Sequence, residues 1–274
     1  TADIHDAVML QDILETCRPD AVIHFAGESS VDHSVARPDE VMANNVCGSQ
    51  TLLDCTLKYF RTLDPDSQDS FRFIDVSSEE VYGASSPERQ VDESSPYNPV
   101  SPYACSKAAT ASLALGYFRT FQLPTLVTFC CNTYGPWQQL DKLVPRSISS
   151  AIQGRPITLY GDGSATRSWI HVDDHVRAIH TVLTTGEPGN TYNVHGNHSC
   201  SNHELVTAIC KTLNASPQWQ PQVSDVHAMI RFIDERPFDY SRNGLVDHRI
   251  RQLGWQPQVG FDEIGAVLDR EPER

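Results

Sequence analysis

A tyrosine and a lysine one helical turn apart are the first residues of this chain whose types and spacing could do chemistry. Tyr103 and Lys107 belong to the segment Tyr103-Ala-Cys-Ser-Lys107, and residues four apart lie on the same face of a helix. A lysine ammonium near a phenol stabilises the phenolate, so the spacing predicts a lowered tyrosine pKa and a tyrosine that acts as a general base. Alone the pattern is weak, because Tyr-x-x-x-Lys occurs by chance in many helices.

Two hydroxyls and two carboxyls follow a predicted strand upstream of that helix. The apolar run 71–76 is typical of a buried strand, and Ser77 and Ser78 end it, directly before Glu79 and Glu80. Ligands of open α/β sheets bind at the carboxyl ends of the strands, which favours a site here. Adjacent carboxyls suit a reaction that needs one acid and one base, with pKa values pushed apart by their environments. The alternative is that the two glutamates form only a solvated turn.

The elements that must position these groups alternate between strand and helix. Strands are predicted at 21–26, 71–76 and 125–129, with helices near 8–14, 40–60 and 103–121. This alternation predicts a parallel sheet with helices on both faces. After residue 134 the pieces shorten, with strands predicted at 157–160, 169–172 and 192–194 and helices at 142–153, 173–184 and 201–213. We therefore expect a partial doubly wound domain over 1–134 and a smaller mixed α/β lobe over 135–274, partly interleaved in space.

Composition excludes several classes of function. The chain of 274 residues carries 21 Lys and Arg against 35 Asp and Glu, a formal net charge of −14. An acidic chain without a basic stripe argues against nucleic-acid binding. No apolar run approaches the length of a membrane span. We therefore expect neither a nucleic-acid nor a membrane partner.

Cysteine and histidine usage predicts reduced thiols and no metal. The 8 cysteines form no Cys-x-x-Cys motif and lie mostly in apolar or helical stretches, as free cysteines do. With no basic or apolar leader visible at the start, this predicts a cytoplasmic protein. The histidines cluster at 171–175 and 195–203, and neither cluster has zinc-ligand spacing. His171 and His175 are interpreted as structural.

The segment Asp75-Val-Ser-Ser-Glu-Glu-Val-Tyr-Gly83, followed by Tyr103-x-x-x-Lys107, resembles the extended short-chain dehydrogenase/reductases. Within that group the chain is most similar to the nucleoside-diphosphate-glucose 4,6-dehydratases. Further matching segments are His24-Phe-Ala-Gly-Glu-Ser29, Asn45-Val-x-Gly48, Asn132-Thr-Tyr-Gly-Pro136, Lys142-Leu-Val-Pro145, Tyr160-Gly-Asp-Gly163, Arg236-Pro237 and Leu253-Gly-Trp-x-Pro257. The resemblance implies a Rossmann-type doubly wound parallel sheet with a smaller substrate lobe, NAD as cofactor, and a homodimer through a four-helix bundle of the helices at 40–60 and 103–121.

The resemblance also implies a reaction on dTDP- or UDP-glucose that yields the 4-keto-6-deoxy sugar nucleotide. Tyr103, with Ser78 and Lys107, takes the O4 proton while the C4 hydride passes to NAD. Glu80 removes the C5 proton, Glu79 protonates the departing C6 hydroxyl, and the hydride returns to C6. Glu79 stands where the family carries aspartate, and a misplacement of about 1 Å costs on the order of a hundredfold in rate. Dehydration with altered geometry, a retained 5,6-alkene and a poor enzyme all stay open.

By position, the resemblance assigns further contacts. The cofactor contacts are Asp3, Ile4, Phe25, Ala26, Gly27, Asn45 and Ser77, together with Tyr103 and Lys107. The substrate contacts are Ser29, Asn132, Lys142, Leu143, Pro156, Tyr160, Arg167 and Arg236. Of these, Arg167 and Arg236 match diphosphate-binding arginines, and a forked guanidinium suits that role.

The glycine-rich turn that holds the cofactor pyrophosphate in this family is missing from the sequence. Neither Gly-x-Gly-x-x-Gly nor Gly-x-x-Gly-x-x-Gly occurs, whereas the family begins with a strand, this turn and a helix. We favour a longer protein of which this is a part, since the predicted catalytic residues are intact. A shortened, non-catalytic sugar-nucleotide-binding protein and a segment supplied by another chain are the alternatives. A related NAD-dependent epimerase or 5,6-dehydratase is the alternative activity.

Overall fold

The computed structural model describes residues 2–215, 227–234 and 240–260. Its strands are β1 (Ala21–His24), β2 (Arg72–Ser78), β3 (Thr125–Cys130), β4 (Asn132–Tyr134), β5 (Ile157–Tyr160), β6 (Thr166–His171), β7 (Thr191–Val194), β8 (His198–Ser201) and β9 (Ile230–Ile233). Its α-helices are α1 (Ala7–Cys17), α2 (Val31–Ala36), α3 (Pro38–Met42), α4 (Gly48–Phe60), α5 (Pro65–Ser70), α6 (Pro102–Phe121), α7 (Leu143–Ile152), α8 (Val172–Thr185), α9 (Asn202–Ala215) and α10 (His248–Gln252). No helix in these ranges has the length and apolar character to cross a bilayer.

The largest sheet is parallel throughout, in the order β1-β2-β3-β7. His24 pairs with Asp75 across β1 and β2, and Cys130 of β3 pairs with Ser78 on one side and Val194 on the other. All four strands therefore end at the same edge of the sheet. The prediction of a Rossmann-type parallel sheet is confirmed. Smaller sheets, β4-β6-β8 and β5-β9, form beside it.

The core explains why the central strands read as continuous apolar runs. Every residue of β3 is buried, as expected for a parallel strand covered on both faces. Phe73, Leu126 and Phe129 have no exposed surface. Ala111 and Ala114 of α6 are likewise fully buried, in one core cluster with Leu126 and Phe129. The small residues of that helix therefore allow its close approach to the sheet.

Helix α6 begins at a position that its sequence specifies. Ser101 accepts a hydrogen bond from the Ala104 amide at 3.1 Å, and Pro102 occupies the first turn, where its missing N–H is not needed. The helix ends at Gln122, which has a left-handed φ of 59°. These signals place Tyr103 and Lys107 on the first turns, next to the end of β2.

The helix predicted over 40–60 is interrupted. A π-helical turn at Ala43–Cys47 separates α3 from α4. Its Asn45 is buried, accepts the Glu28 amide at 2.7 Å, and donates to the Glu28 carbonyl at 3.0 Å and to Ser106 Oγ at 2.8 Å. The wide turn thus brings an amide side chain to the loop after β1, and π-bulges are often found at functional sites.

Asp174 anchors the segment that follows α10. The carboxylate is fully buried and accepts the amides of Gln258 at 2.8 Å and Val259 at 2.9 Å, while the Asp174 carbonyl accepts Trp255 Nε1 at 3.2 Å. In Asp174→Asn an NH2 group replaces one of the two carboxylate oxygens, so that this donor faces a backbone N–H donor. We expect this to lower the free energy of unfolding by about 2–3 kcal/mol, measured by urea denaturation. The neighbouring exposed Asp173→Asn is the control, and an equal loss there would contradict this role.

Candidate active site

A cleft of about 690 Å³ opens where β1, β2 and β3 end. Its walls come from both parts of the chain, since residues after each of these strands face residues from the loop before α7 and from β5 and β6. A cleft outside the carboxyl ends of parallel strands is the usual ligand site of open α/β sheets. Across the described ranges, no group of three or more His, Cys, Asp or Glu side chains is arranged to hold a metal ion.

Glu79 forms part of the cleft floor as a buried carboxyl. It is 4% exposed, and neither of its carboxyl oxygens has a hydrogen-bond partner within the described part of the chain. Burial raises the Glu79 pKa to about 8, against the opposing charges of Arg242 and Arg167. A carboxyl with this pKa holds its proton at neutral pH and is able to act as an acid.

Glu80, the next residue, has a different environment. Its Oε1 lies 3.1 Å from Arg242 Nη2, and both side chains are largely buried. Its amide donates to Ser78 Oγ at 3.2 Å. At this distance the guanidinium and the carboxylate form an ion pair. The structure therefore sets an unpaired, protonated carboxyl beside an ion-paired one.

Tyr103 lies beside the two glutamates, but the predicted lowering of its pKa is wrong for this structure. Burial, and then the charge of Glu80, raise the Tyr103 pKa, although a hydrogen bond with Ser78 and the charge of Arg242 act against them. The Lys107 ammonium donates to the Val76 carbonyl oxygen at 2.7 Å. The spacing of the two residues places them on one helix face. It carries no information on desolvation, which dominates the Tyr103 pKa here.

On one side of the cleft, the structure gathers part of the residues predicted to bind the cofactor. Phe25, Gly27 and Ser77 line it, as do Tyr103 and Lys107. The predicted residues that do not line it are Asp3, Ile4, Ala26 and Asn45. Asn45 instead packs against Gly27, which does line the cleft. A Cβ on Gly27, whose φ is +155°, would lie 3.0 Å from Asn45 Oδ1.

The residues predicted to bind substrate line the other side. They are Ser29, Asn132, Lys142, Leu143, Tyr160 and Arg167. Lys142 Nζ donates to the Ser29 carbonyl at 2.8 Å and so connects the loop before α7 to the loop after β1. Pro156 does not line the cleft, and Arg236 lies outside the described residues.

Sequence analysis also missed cleft residues with titratable side chains, among them Cys130, His175 and Arg242. Burial raises the Cys130 pKa, but hydrogen bonds from Cys131, His175 and Thr133 and the charge of His175 outweigh it and hold that pKa well below its ordinary value. His175, interpreted as structural, thus faces a thiol in the cleft, whereas His171 caps α8 by accepting the Asp173 amide at 3.2 Å. Arg242 follows the Arg236-Pro237 match, but only the tertiary fold shows that it reaches Glu80.

A parallel sheet whose second strand ends in serine, beside a helix with Tyr-x-x-x-Lys on its first turns, defines an extended short-chain dehydrogenase/reductase. The comparisons with known proteins agree with this class. The chain belongs to the family described as GDP-mannose 4,6 dehydratase, whose model matches residues 1–266.

Relatives within this family are similar over most of the chain. The dTDP-glucose 4,6-dehydratase of Haemophilus influenzae is 40% identical over 264 residues, which are 95% of this chain and 78% of that protein. The crystal structure of DesIV, a dTDP-glucose 4,6-dehydratase from Streptomyces venezuelae with NAD and dTDP bound, superposes with a TM-score of 0.86 at 36% identity and covers 98% of this chain and 77% of DesIV.

Another activity shares the fold. The UDP-glucose 4-epimerase of Thermus thermophilus, solved with NAD, superposes with a TM-score of 0.84 at 26% identity and covers 98% of this chain and 82% of the epimerase. Similarity of fold therefore does not by itself separate dehydration from epimerisation. The side chains in the cleft, rather than the fold, must separate the two activities.

Proposed function

We propose that this protein is an NAD-dependent 4,6-dehydratase that converts dTDP-glucose or UDP-glucose into the 4-keto-6-deoxy sugar nucleotide. The observation that carries the proposal is the contrast between two adjacent carboxyls, the buried Glu79 with a pKa of about 8 and the ion-paired Glu80. Two carboxyls in such different environments suit an acid and a base that act on one sugar ring. The names of the most similar relatives support dTDP-glucose as the substrate.

The cofactor side of the cleft suits a dinucleotide. Gly27 has no side chain, so the cofactor is able to approach the backbone at this position. A Cβ here would also lie 3.0 Å from Asn45 Oδ1. We propose that Phe25, Gly27 and Ser77 hold NAD, with Tyr103 and Lys107 next to its reactive end. When bound, NAD supplies a positively charged ring that accepts the hydride from C4 and returns it to C6.

Tyr103 would accept the proton of the sugar O4, with Ser78 hydrogen-bonded to the phenol. Because the Tyr103 pKa is raised, its phenolate is a strong base, but forming the phenolate is unfavourable in the empty cleft. A positive charge beside a phenol favours the phenolate, so proton transfer is expected only once the cleft is filled. Arg167 and Arg236 are proposed to bind the diphosphate.

The two glutamates would carry out the elimination. The Glu80 carboxylate takes the C5 proton as the C5–H bond breaks, and this electron pair forms the C5=C6 double bond. The C6–O bond breaks in the same step, and the hydroxyl takes the proton of Glu79 and leaves as water. Glu79 ends ionised and Glu80 protonated, so the proton that Glu80 gained passes to C5 when the double bond is reduced.

Turnover of dTDP-glucose in heavy water tests the proposed function. We expect the product to have lost one water and gained one deuterium at C5, detected by mass spectrometry and NMR, because the Glu80 carboxyl exchanges its proton with solvent. Glu80→Gln is expected to abolish the deuterium uptake. A C4 epimer with no loss of water would identify an epimerase, and binding without turnover would identify a sugar-nucleotide-binding protein; either result contradicts the proposal.

We also propose a cytoplasmic homodimer, with residues 1–134 as the cofactor-binding part and 135–274 as the substrate lobe. The free state of all eight cysteines supports a reducing compartment. Helices α4 and α6 pack side by side, with Tyr117 Oη donating to Asp54 Oδ1 at 2.6 Å, as two helices of a four-helix bundle would. Strand β7 comes from the substrate lobe but completes the sheet of the cofactor-binding part.

A further inference from the structure

Arg242 is held in the cleft wall by its backbone. Its amide donates to the Thr166 carbonyl at 2.9 Å, and its carbonyl accepts the Ser168 amide at 3.1 Å. The preceding Ser241 carbonyl accepts the Ser85 amide at 3.1 Å. Residues 241–242 are thereby fixed between β6 and the loop that follows Glu79 and Glu80.

The Arg242 side chain reaches Glu80 from this fixed backbone. Arg242 is 8% exposed, and its Nη2 donates to Glu80 Oε1 at 3.1 Å. Its Nε has no acceptor among the residues that the structure describes. A buried donor left without an acceptor needs a functional explanation, and a bound sugar in this cleft would bring oxygens to it.

We propose that Arg242 is a positioning residue that holds the Glu80 carboxylate in the direction from which it removes the C5 proton. The inference rests on the proposed function. It adds a residue from the substrate lobe to the elimination step, so that the Glu80 base, which follows β2, is aligned only when both parts of the chain are in place. Because one N–H of the guanidinium binds Glu80 while the backbone is fixed, the carboxylate has little freedom to turn away.

The other charged groups around the glutamates do not replace Arg242. Arg167 Nη1 donates to the carbonyls of Thr166 at 3.0 Å and Tyr240 at 2.5 Å, so this nitrogen is bound to the main chain. Cys130 acts on the pKa of Glu79 and of Tyr103, but a thiol carries no positive charge. The Lys107 ammonium, which also lines the cleft, donates to the Val76 carbonyl at 2.7 Å.

The test compares Arg242→Gln and Arg242→Lys in the NAD-loaded enzyme, step by step. In Arg242→Gln we expect exchange of the C5 proton with heavy water to slow by about a hundredfold, with the KM for dTDP-glucose and the formation of reduced cofactor little changed. Arg242→Lys keeps the charge but not the fork and is expected to recover part of the exchange. The matched control is Arg251→Gln, which breaks the ion pair with Asp247 at 3.0 Å, away from the cleft.

A second readout does not depend on turnover. Loss of the Arg242 charge removes a group that lowers the Glu79 pKa, so the protonated Glu79 carboxyl should persist to higher pH in Arg242→Gln, as seen by infrared spectroscopy of the isotope-labelled protein. Exchange at the wild-type rate, a rise in KM alone, or an equal fall in oxidation and exchange would each overturn the positioning role. If the wild-type enzyme does not dehydrate the sugar, the proposed function fails instead, and the infrared result still reports on the Arg242 contact.

Discussion

Glu79→Gln is expected to lower kcat by about 10²–10⁴-fold, the usual contribution of a general acid. The amide is close to the carboxyl in size and fits the same buried position, but it has no proton to give to the leaving C6 oxygen. Because Tyr103 and Glu80 are untouched, oxidation at C4 and exchange at C5 should continue, and reduced cofactor should accumulate. Stopped-flow absorbance of the reduced cofactor, with mass spectrometry of the product, measures both effects.

The same substitution should change how stability depends on pH. In the folded protein Glu79 keeps its proton up to a pH of about 8, whereas the ordinary value for the unfolded chain is 4.5. Between these two values the unfolded state has lost a proton that the folded state retains, so stability falls as the pH rises, by up to about 1.4 kcal/mol per pH unit. Glu79→Gln removes this loss and should be the more stable protein at about pH 8.

An exposed glutamate provides the control for both measurements. Glu15 lies on α1, away from the cleft, and Glu15→Gln should keep the wild-type kcat and the wild-type pH dependence of unfolding. If Glu79→Gln turned over normally, the proton would have to come from elsewhere. If its urea midpoint followed pH as the wild-type midpoint does, Glu79 would not be the buried acid that its surroundings indicate.

Tyr103→Phe is expected to lower kcat by about 10²–10⁴-fold with little change in KM, because it removes the group that accepts the O4 proton. Unlike Glu79→Gln, this substitution slows the first step, which is oxidation at C4. No reduced cofactor should therefore form, and no deuterium should enter at C5. The ring remains in place, and only the phenolic hydroxyl is lost. Single-turnover absorbance therefore separates the two variants.

Tyr117→Phe is the matched control on the same helix. It also removes a phenolic hydroxyl, one that donates to Asp54 Oδ1 at 2.6 Å and does not line the cleft. We expect kcat to be unchanged and the free energy of unfolding to fall by about 1–2 kcal/mol. Rapid oxidation at C4 by Tyr103→Phe would show that another group takes the O4 proton.

Local signals predicted the elements that carry the site. The runs at 125–129 and 157–160 match β3 (Thr125–Cys130) and β5 (Ile157–Tyr160) because short apolar runs between turn residues specify buried strands. The helix at 103–121 matches α6 because Ser101 and Pro102 mark its start. The glutamates and the Tyr-Lys pair line one cleft, as expected. The glutamates directly follow β2, and the Tyr-Lys pair lies at the start of the helix beside the end of that strand.

What sequence patterns missed depends on contacts between distant residues. The wide turn at Ala43–Cys47 follows from bonds that Asn45 makes to Glu28 and Ser106, and helical periodicity does not encode them. Arg242 meets Glu80 across 162 positions of the chain. The raised Tyr103 pKa depends on burial, which residue spacing alone cannot supply.

The position of β7 has a consequence for how the chain folds. Residues 127–130 of β3 pair with 191–194, so the central strand stays uncovered on one edge until β4, α7, β5, β6 and α8 have been synthesised. Contacts between segments so far apart slow folding and leave an unpaired strand edge open to other chains in the meantime. During synthesis, this sheet is therefore completed only after residues 135–190, which include α7 and α8, have left the ribosome.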